Sequence, residues 1–397
     1  MVRILHTSDW HLGRSFHGVR LEAAQAAYVD HLVELVRAER VDLVLVSGDV
    51  YDRALPPVSA VEQADEAFAR LAASGTRTVV TSGNHDSQIR LGFNHRLVDV
   101  AGVHLRTRWQ DIGTPVLVDD EHGPVAVYGL PYLEPDAVLT SWALPARSHE
   151  AALAEAMARV RADLETRPPG TRSVVMAHAF VAGSAQAAPG MASASERDIS
   201  VGGIQIAPTS LFTGVTYTAL GHLHGAQTLT ETVRYSGSPL AYSFSEAGHV
   251  KGSWLVELDA AGVVDAQFVA APVPRPLGSL TGSLDHLLTD PSYSNLEDHW
   301  LEVRLTDRVR PTHAMERLRT RFPHTLLVAL DASRPPAPRP SLPRVERSSD
   351  YDIALGFVAE VREVEATTEE ALLLQMACEC ARQDGDADPL PGRAVGQ

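Results

Sequence analysis

The chain has 397 residues, 45% of them apolar, and a formal net charge of −16 with histidine neutral. That length allows one large domain and a smaller one, and no run approaches the ~18 consecutive apolar residues that span a bilayer. The acidic balance excludes DNA binding through bulk charge alone, so a nucleic-acid role would need bound cations, a local basic surface or a basic partner. Cys378 and Cys380 stand two apart on a helical stretch, so no internal disulfide is expected. The single lysine, Lys251, leaves nearly all basic charge to arginine, which reads as genome composition. Met1-Val2-Arg3 runs straight into a strand without the layout of a secretory leader, so a cytoplasmic protein is expected.

The first part alternates strand and helix. Arg3 to Thr7 is a short strand, and Leu21 to Arg40 has helical spacing at Ala24, Tyr28, Leu32, Leu35 and Val36. Val41 to Val46 is a buried strand. Val61, Ala64, Phe68 and Leu71 mark a helix, and Thr76 to Thr81 is a β-branched strand. Val125 to Leu130 is a strand, Leu153 to Leu164 a helix, and Ser173 to Ala177 a strand. The Gly-, Ala- and Ser-rich segment 181–203 is expected as a loop, with later strands at Tyr217 to Leu220 and Ser253 to Leu258. This pattern predicts a layered α/β domain over residues 1–268.

A proline-rich step at 271–276 breaks the pattern. Trp300 to Leu305, then Met315, Leu318 and Phe322, then Thr325 to Leu330 predict a small α+β domain over 275–332. A stiff Pro-rich linker is expected over 333–350. Thr367 and Glu370 form a capping box for a last helix in a C-terminal region, 351–383, followed by a polar tail, 384–397.

Five sites share one layout: an apolar strand, then a polar cluster. These clusters hold Asp9 and His11; Gly48-Asp49-Val50-Tyr51-Asp52; Gly83-Asn84-His85-Asp86; His178; and Gly221-His222-Leu223-His224. Carboxyl ends of strands converge on one edge of an α/β sheet, so residues remote in sequence meet there. Residues two apart in extended chain face the same way, so Asp9 with His11, and His222 with His224, can each grip a metal. Glycines before Asp49, Asn84 and His222 suit tight turns and close backbone approach. The donors are carboxylate, imidazole and amide oxygen without thiolate, which suits manganese, iron or zinc and not a Cys-rich structural zinc site. Any one cluster alone is weak: D-x-H is common, Asp49 could cap a helix, and His178 could be a core histidine. Together, always after an apolar strand, they point to a two-metal phosphoesterase. His6, His17, His31, His95 and His104 lack this setting and are expected to be structural.

The motifs D-x-H, G-D-x-x-D, G-N-H-D, a lone His and G-H-x-H resemble the calcineurin-like metallophosphoesterase superfamily. Closer resemblance is to the SbcD family of nuclease subunits, carried by His6 to Gly13, Ser195-Glu196-Arg197 with Val201-Gly202-Gly203, Ala219 to His224, and Tyr235 to Pro239. It covers most of residues 1–250.

The resemblance implies a metallophosphoesterase β-sandwich flanked by helices, a capping domain and a C-terminal partner-binding helix. It implies one metal held by Asp9, His11, Asp49 and His224, and another held by Asp49, Asn84, His178 and His222, with Asp49 bridging. His85 would contact the scissile phosphate or protonate the leaving oxygen, with Asp52 orienting it. Manganese is the favoured ion. The implied activity is double-strand DNA exonuclease and single-strand or hairpin endonuclease in DNA end processing, repair, recombination and replication. The implied partners are an SbcC-like ATPase and a second copy of the chain within a heterotetramer. Arg53 follows Asp52 as in protein phosphatases, but Ala54 replaces the glycine expected there, which weakens the alternative of an enzyme for phosphoproteins or small phosphodiesters. A non-catalytic DNA-end scaffold is the remaining alternative.

Overall fold

The computed structural model describes residues 1–183, 206–331, 349–362 and 364–385. The Ser195 and Val201 segments, the Pro-rich stretch Ser333–Pro343 and the tail beyond 385 lie outside the described residues. The chain divides into two compact units, Met1–Ser279 with Asp298–Leu301, and Leu280–Glu297 with Glu302–Gln397.

Two six-stranded sheets build the first unit. One runs, edge to edge, Val263–Ala270, Gly252–Leu258, Val2–Thr7, Leu43–Ser47, Arg77–Thr81, Val103–Arg106. Its last four strands are parallel. The other runs Gln227–Thr228, Val233–Tyr235, Tyr217–Gly221, Arg172–His178, Gly123–Leu130, Val116–Asp120, with a parallel centre. Alternation within each strand explains the layering. Ile4, Leu43, Leu45 and Val79 share one core with Val125, Val127, Val174, Met176 and Tyr217, between the sheets. Leu5, Val44, Val46 and Val80 face the other way, onto the helices Glu22–Ala38 and Val58–Ala73. Ala126, Tyr128, Val175 and Ala177 do the same onto the helix His149–Leu164. The result is a helix–sheet–sheet–helix sandwich, the layered α/β architecture expected from the sequence. Each fully buried Leu, Val or Ile contributes roughly 1.5–3 kcal/mol, so both sheets are stiff where the parallel strands end.

Tyr28, Leu32, Val36, Ala64 and Leu71 bury as the sequence predicts, and both helices differ from it at single positions. In Glu22–Ala38 the buried face begins at Gln25, not Ala24, because the Gln25 amide donates to the His11 carbonyl at 2.8 Å. In Val58–Ala73 the small residues Ala60, Ala64 and Ala67 bury with Leu71, while Val61 stays exposed. Alanine lets that helix lie close to the sheet, and Phe68 reaches past it to Trp10. The strands Val103–Arg106, Val116–Asp120 and Val263–Ala270 were not expected. They lie at or next to sheet edges, where alternation is short or its outer face is polar.

The second unit holds the helices Leu284–Thr289 and Ala314–Arg319, with Leu280, Leu284, Leu287, Val303, Leu318 and Phe322 buried. The strands Leu277–Gly282, Trp300–Leu305 and Thr325–Leu330 form a three-stranded sheet in that order. Its last two helices are Asp350–Arg362 and Thr368–Gly385. The capping box forms: Glu370 N–H donates to Thr367 Oγ1 at 3.3 Å, and Thr367 N–H donates to the Glu370 carboxylate at 3.0 Å. Among the described residues, no helix is long and apolar enough to cross a membrane.

Candidate metal centre

Parallel strands from both sheets end at one edge, and the two sheets touch there. Gly48 has φ +85°, and a Cβ on it would lie 2.3 Å from Nδ1 of His178 in the opposite sheet. A Cβ on Gly221 would lie 1.9 Å from the Ser47 carbonyl. Only glycine permits such approach, and it brings the Asp9, Asp49 and Asn84 loops against the His178 and His222 loops. Asp9, His11, Asp49 and His222 also have positive φ, between 45° and 105°. Such backbone is sparsely populated for side-chain-bearing residues, and its clustering at one polar site marks function.

Two pairs of imidazoles flank Asp49. Nε2 of His11 and Nε2 of His224 are 3.1 Å apart. Nε2 of His178 and Nδ1 of His222 approach Oδ1 of Asn84 at 3.0 and 3.2 Å. Oδ2 of Asp49 lies 3.6 Å from His11 Nε2 and 3.4 Å from His178 Nε2, between the pairs. Its Oδ1 accepts the His85 main-chain N–H at 2.9 Å. Asp9 completes the first group with His11 and His224, and also lies within reach of Asp49 and His178. All seven residues read from the sequence as ligands therefore meet. Asp9, His11, Asp49, His178 and His224 are buried, while Asn84 and His222 are partly open.

His85 and Asp52 sit beside this group. Nδ1 of His85 donates to the Asp52 main-chain carbonyl at 2.8 Å, and its ring lies edge-on to His11. The Asp52 carboxylate instead accepts from Arg14 at 3.3 Å and lies 3.8 Å from Nδ1 of His11. The Arg14 guanidinium also stacks on Tyr242.

The donor set fits divalent metal. Two carboxylates, four imidazoles and an amide oxygen converge in a buried space. Nδ1 of His11 is buried without a hydrogen-bond partner among the described residues. Electrostatics without a cation show the same demand. Burial pushes Asp9 up to about 6 and His222 down to about 3. Burial would also lower His178, but the Asp49 carboxylate outweighs it and raises His178 to about 9. Burial likewise opposes ionisation of Asp49, yet the surrounding imidazoles hold it far below the usual carboxylate range. The site thus attracts positive charge onto Asp49.

Residues to which the sequence reading gave no role hold this centre in place. Ser8 donates to the Asp9 carboxylate. The Asp86 carboxylate accepts main-chain N–H groups from Val50, Tyr51 and Gly83 at 3.1, 2.8 and 2.9 Å, locking two ligand loops together. Burial, then the charge of Asp49, pushes Asp86 up to about 7. Glu246 and Lys251 lie behind His224, with the Glu246 carboxylate near His224 Nδ1 at 3.3 Å and Lys251 Nζ donating to it at 2.6 Å. Burial would raise Glu246, but its bond to His224 and the Lys251 charge hold it well below the usual range. The one signal for Lys251 was its solitude: in an arginine-rich chain the sole lysine is buried and hydrogen-bonded. His6 is a core histidine, bonded to the Tyr217 hydroxyl and the Leu220 carbonyl, and burial pushes it down to about 3.

A family model described as calcineurin-like phosphoesterase matches residues 2–225, the whole span that carries these ligands. The chain belongs to that family. A second model, SbcD_C, described as type 5 capsule protein repressor C-terminal domain, matches residues 273–353 of this phosphoesterase. Together the two matches support an SbcD-type nuclease subunit within the superfamily. Among solved structures, TT1561 of Thermus thermophilus is similar at 14% identity and a TM-score of 0.39, covering 67% of this chain and 98% of that one. A dimetal phosphatase from Danio rerio is similar at 14% identity and a TM-score of 0.37, covering 68% of this chain and 99% of that one.

Proposed function

We propose that this phosphoesterase is the nuclease subunit of a DNA end-processing complex, acting as a double-strand exonuclease and a single-strand or hairpin endonuclease. The observation that carries the reading is the pairing of a two-cation donor set on residues 9–224 with an SbcD-type C-terminal match over residues 273–353. Two divalent ions, manganese by preference, would be held by Asp9, His11, Asp49 and His224, and by Asp49, Asn84, His178 and His222. When bound they would supply charge neutralisation on phosphate and a hydroxide-like nucleophile at neutral pH.

The chain's own groups do the rest. His85, its Nδ1 anchored on the Asp52 carbonyl, contacts the scissile phosphate or passes a proton to the leaving oxygen. Arg14 lies next to that anchor and adds a fixed positive charge.

Partners account for the acidic chain. The last two helices expose Ile353, Phe357 and Val361, then Leu372, Leu373 and Met376, at helical spacing. Apolar stripes open to solvent fit docking onto a partner, here an SbcC-type ATPase that brings DNA-binding surface. Ile89, Phe93, Leu97 and Val100, just after the Asn84–Asp86 loop, are also exposed and suit a self-contact in a homodimer. Residues 275–332 would serve as the capping domain of such a subunit, and a cytoplasmic setting follows from this role.

The test is cleavage of end-labelled duplex and hairpin DNA with manganese, with and without the ATPase and ATP, against turnover of a chromogenic phosphodiester. Preferential degradation of DNA is expected. Turnover of the small diester with DNA left intact would overturn the nuclease assignment.

A further inference from the structure

His224 is held at both ends by a pair of buried charges. Glu246 is 1% exposed and Lys251 7% exposed. The Glu246 carboxylate takes Nδ1 of His224 on one oxygen at 3.3 Å, and the Tyr242 N–H and Lys251 Nζ on the other, at 3.2 and 2.6 Å. Lys251 Nζ also donates to the His224 main-chain carbonyl at 2.8 Å and to Ser238 Oγ at 3.0 Å. Side chain and backbone of one residue are thus fixed by the same ion pair. Lys251 opens into the strand Gly252–Leu258 of the first sheet, whereas His224 follows a strand of the second. The pair therefore ties the two halves of the centre together.

Chemistry gives this arrangement a direction. A carboxylate accepts only, so the hydrogen on Nδ1 of His224 points to Glu246. Nε2 then carries the lone pair, and it is the atom facing His11 Nε2. Lys251 supplies the counter-charge that a buried carboxylate needs, so the pair adds no net charge to the centre. We propose that Glu246 and Lys251 are positioning residues that set the tautomer and orientation of His224 for a divalent cation. The inference rests on the reading of His224 as a metal ligand.

Groups that orient a metal-bound imidazole typically change affinity by ~10–100-fold when removed. In manganese titration calorimetry on the full chain, Glu246→Gln should weaken one of two ions by that factor and leave the other near its wild-type affinity. Lys251→Met should do the same. Cooperative thermal unfolding of each variant checks that it is folded. Folded Glu246→Gln protein with both affinities at wild-type level would overturn the proposal.

A readout on unaltered protein guards against a variant that does not fold. Nitrogen-15 shifts of His224 in metal-stripped wild-type chain should report a proton on Nδ1, and a proton on Nε2 would overturn the proposal. Wild-type protein that binds two ions but leaves DNA intact would refute the nuclease reading alone. Wild-type protein that binds none would refute the metal reading itself.

Discussion

His85 is anchored by the main chain of Asp52, not by its carboxylate: the imidazole Nδ1 lies 2.8 Å from the Asp52 carbonyl oxygen, while the carboxylate turns to Arg14. The two substitutions should therefore behave differently. On the proposed reading His85 meets the phosphate, so His85→Ala should lower kcat by ~10²–10⁴-fold, with two ions per chain still bound. Asp52→Ala keeps the carbonyl and should cost less than His85→Ala by at least about tenfold. Single-turnover cleavage with parallel metal analysis separates them. Equal losses would mean that the carboxylate itself takes part.

Asp49 stands between the two imidazole pairs, with one oxygen 3.6 Å from His11 and 3.4 Å from His178. On the proposed reading, a carboxylate so placed would bridge the two ions. Asp49→Asn should reduce bound manganese to below one ion per chain and abolish cleavage, whereas His222→Ala should leave one ion bound. Metal content after gel filtration decides this. Two ions retained in Asp49→Asn would remove Asp49 from the bridging position.

The convergence of these residues was legible in the sequence because each proposed ligand follows an apolar strand, and strand ends in an α/β sandwich must converge. Asp9, Asp49 and His178 could be found that way without knowing which sheet each strand joins. The supports were not legible. Glu246 and Lys251 meet His224 from 22 and 27 residues downstream, across the gap between sheets. Gln25 sits where helical spacing expects an apolar residue, and only its bond to the His11 carbonyl explains its burial. Ala60, Ala64 and Ala67 outrank the larger Val61 because close approach to the sheet rewards small side chains. Such facts depend on which surfaces meet, and local spacing does not carry them.

The exposed stripe Leu372, Leu373 and Met376 on the last helix gives a partner-specific prediction. Leu372→Glu with Met376→Glu should abolish co-elution with the ATPase subunit, raising Kd at least ~100-fold, because a charge buried in an apolar interface is costly. Turnover of a chromogenic phosphodiester by the isolated chain should not change. Retained co-elution would place the partner elsewhere, and lost small-substrate turnover would show that the helix supports the phosphoesterase fold.

Arg172 offers a stability test at the edge of the sandwich opposite the metal centre. Its guanidinium donates to both oxygens of Asp120 and to the carbonyls of Gly123 and Asp259, tying strand ends of both sheets. The side chains are 4% and 7% exposed, so the pair belongs with buried ion pairs and not with surface ones. Arg172→Met leaves the Asp120 carboxylate with the Met1 ammonium at 2.9 Å and the His122 N–H at 2.8 Å, and should cost less than the about 3–5 kcal/mol of a fully stranded buried charge in chemical denaturation. Arg172 bonding holds the Asp120 carboxyl below its ordinary range. The folded pKa is depressed, so this stabilisation is complete above the ordinary carboxylate pKa of about 3.9 and fades as pH falls through the folded value. The difference between wild type and Arg172→Met should accordingly be constant from about pH 6 to 8 and shrink below about pH 4. A difference that instead grew on acidification would mean that Asp120 is not the group Arg172 stabilises.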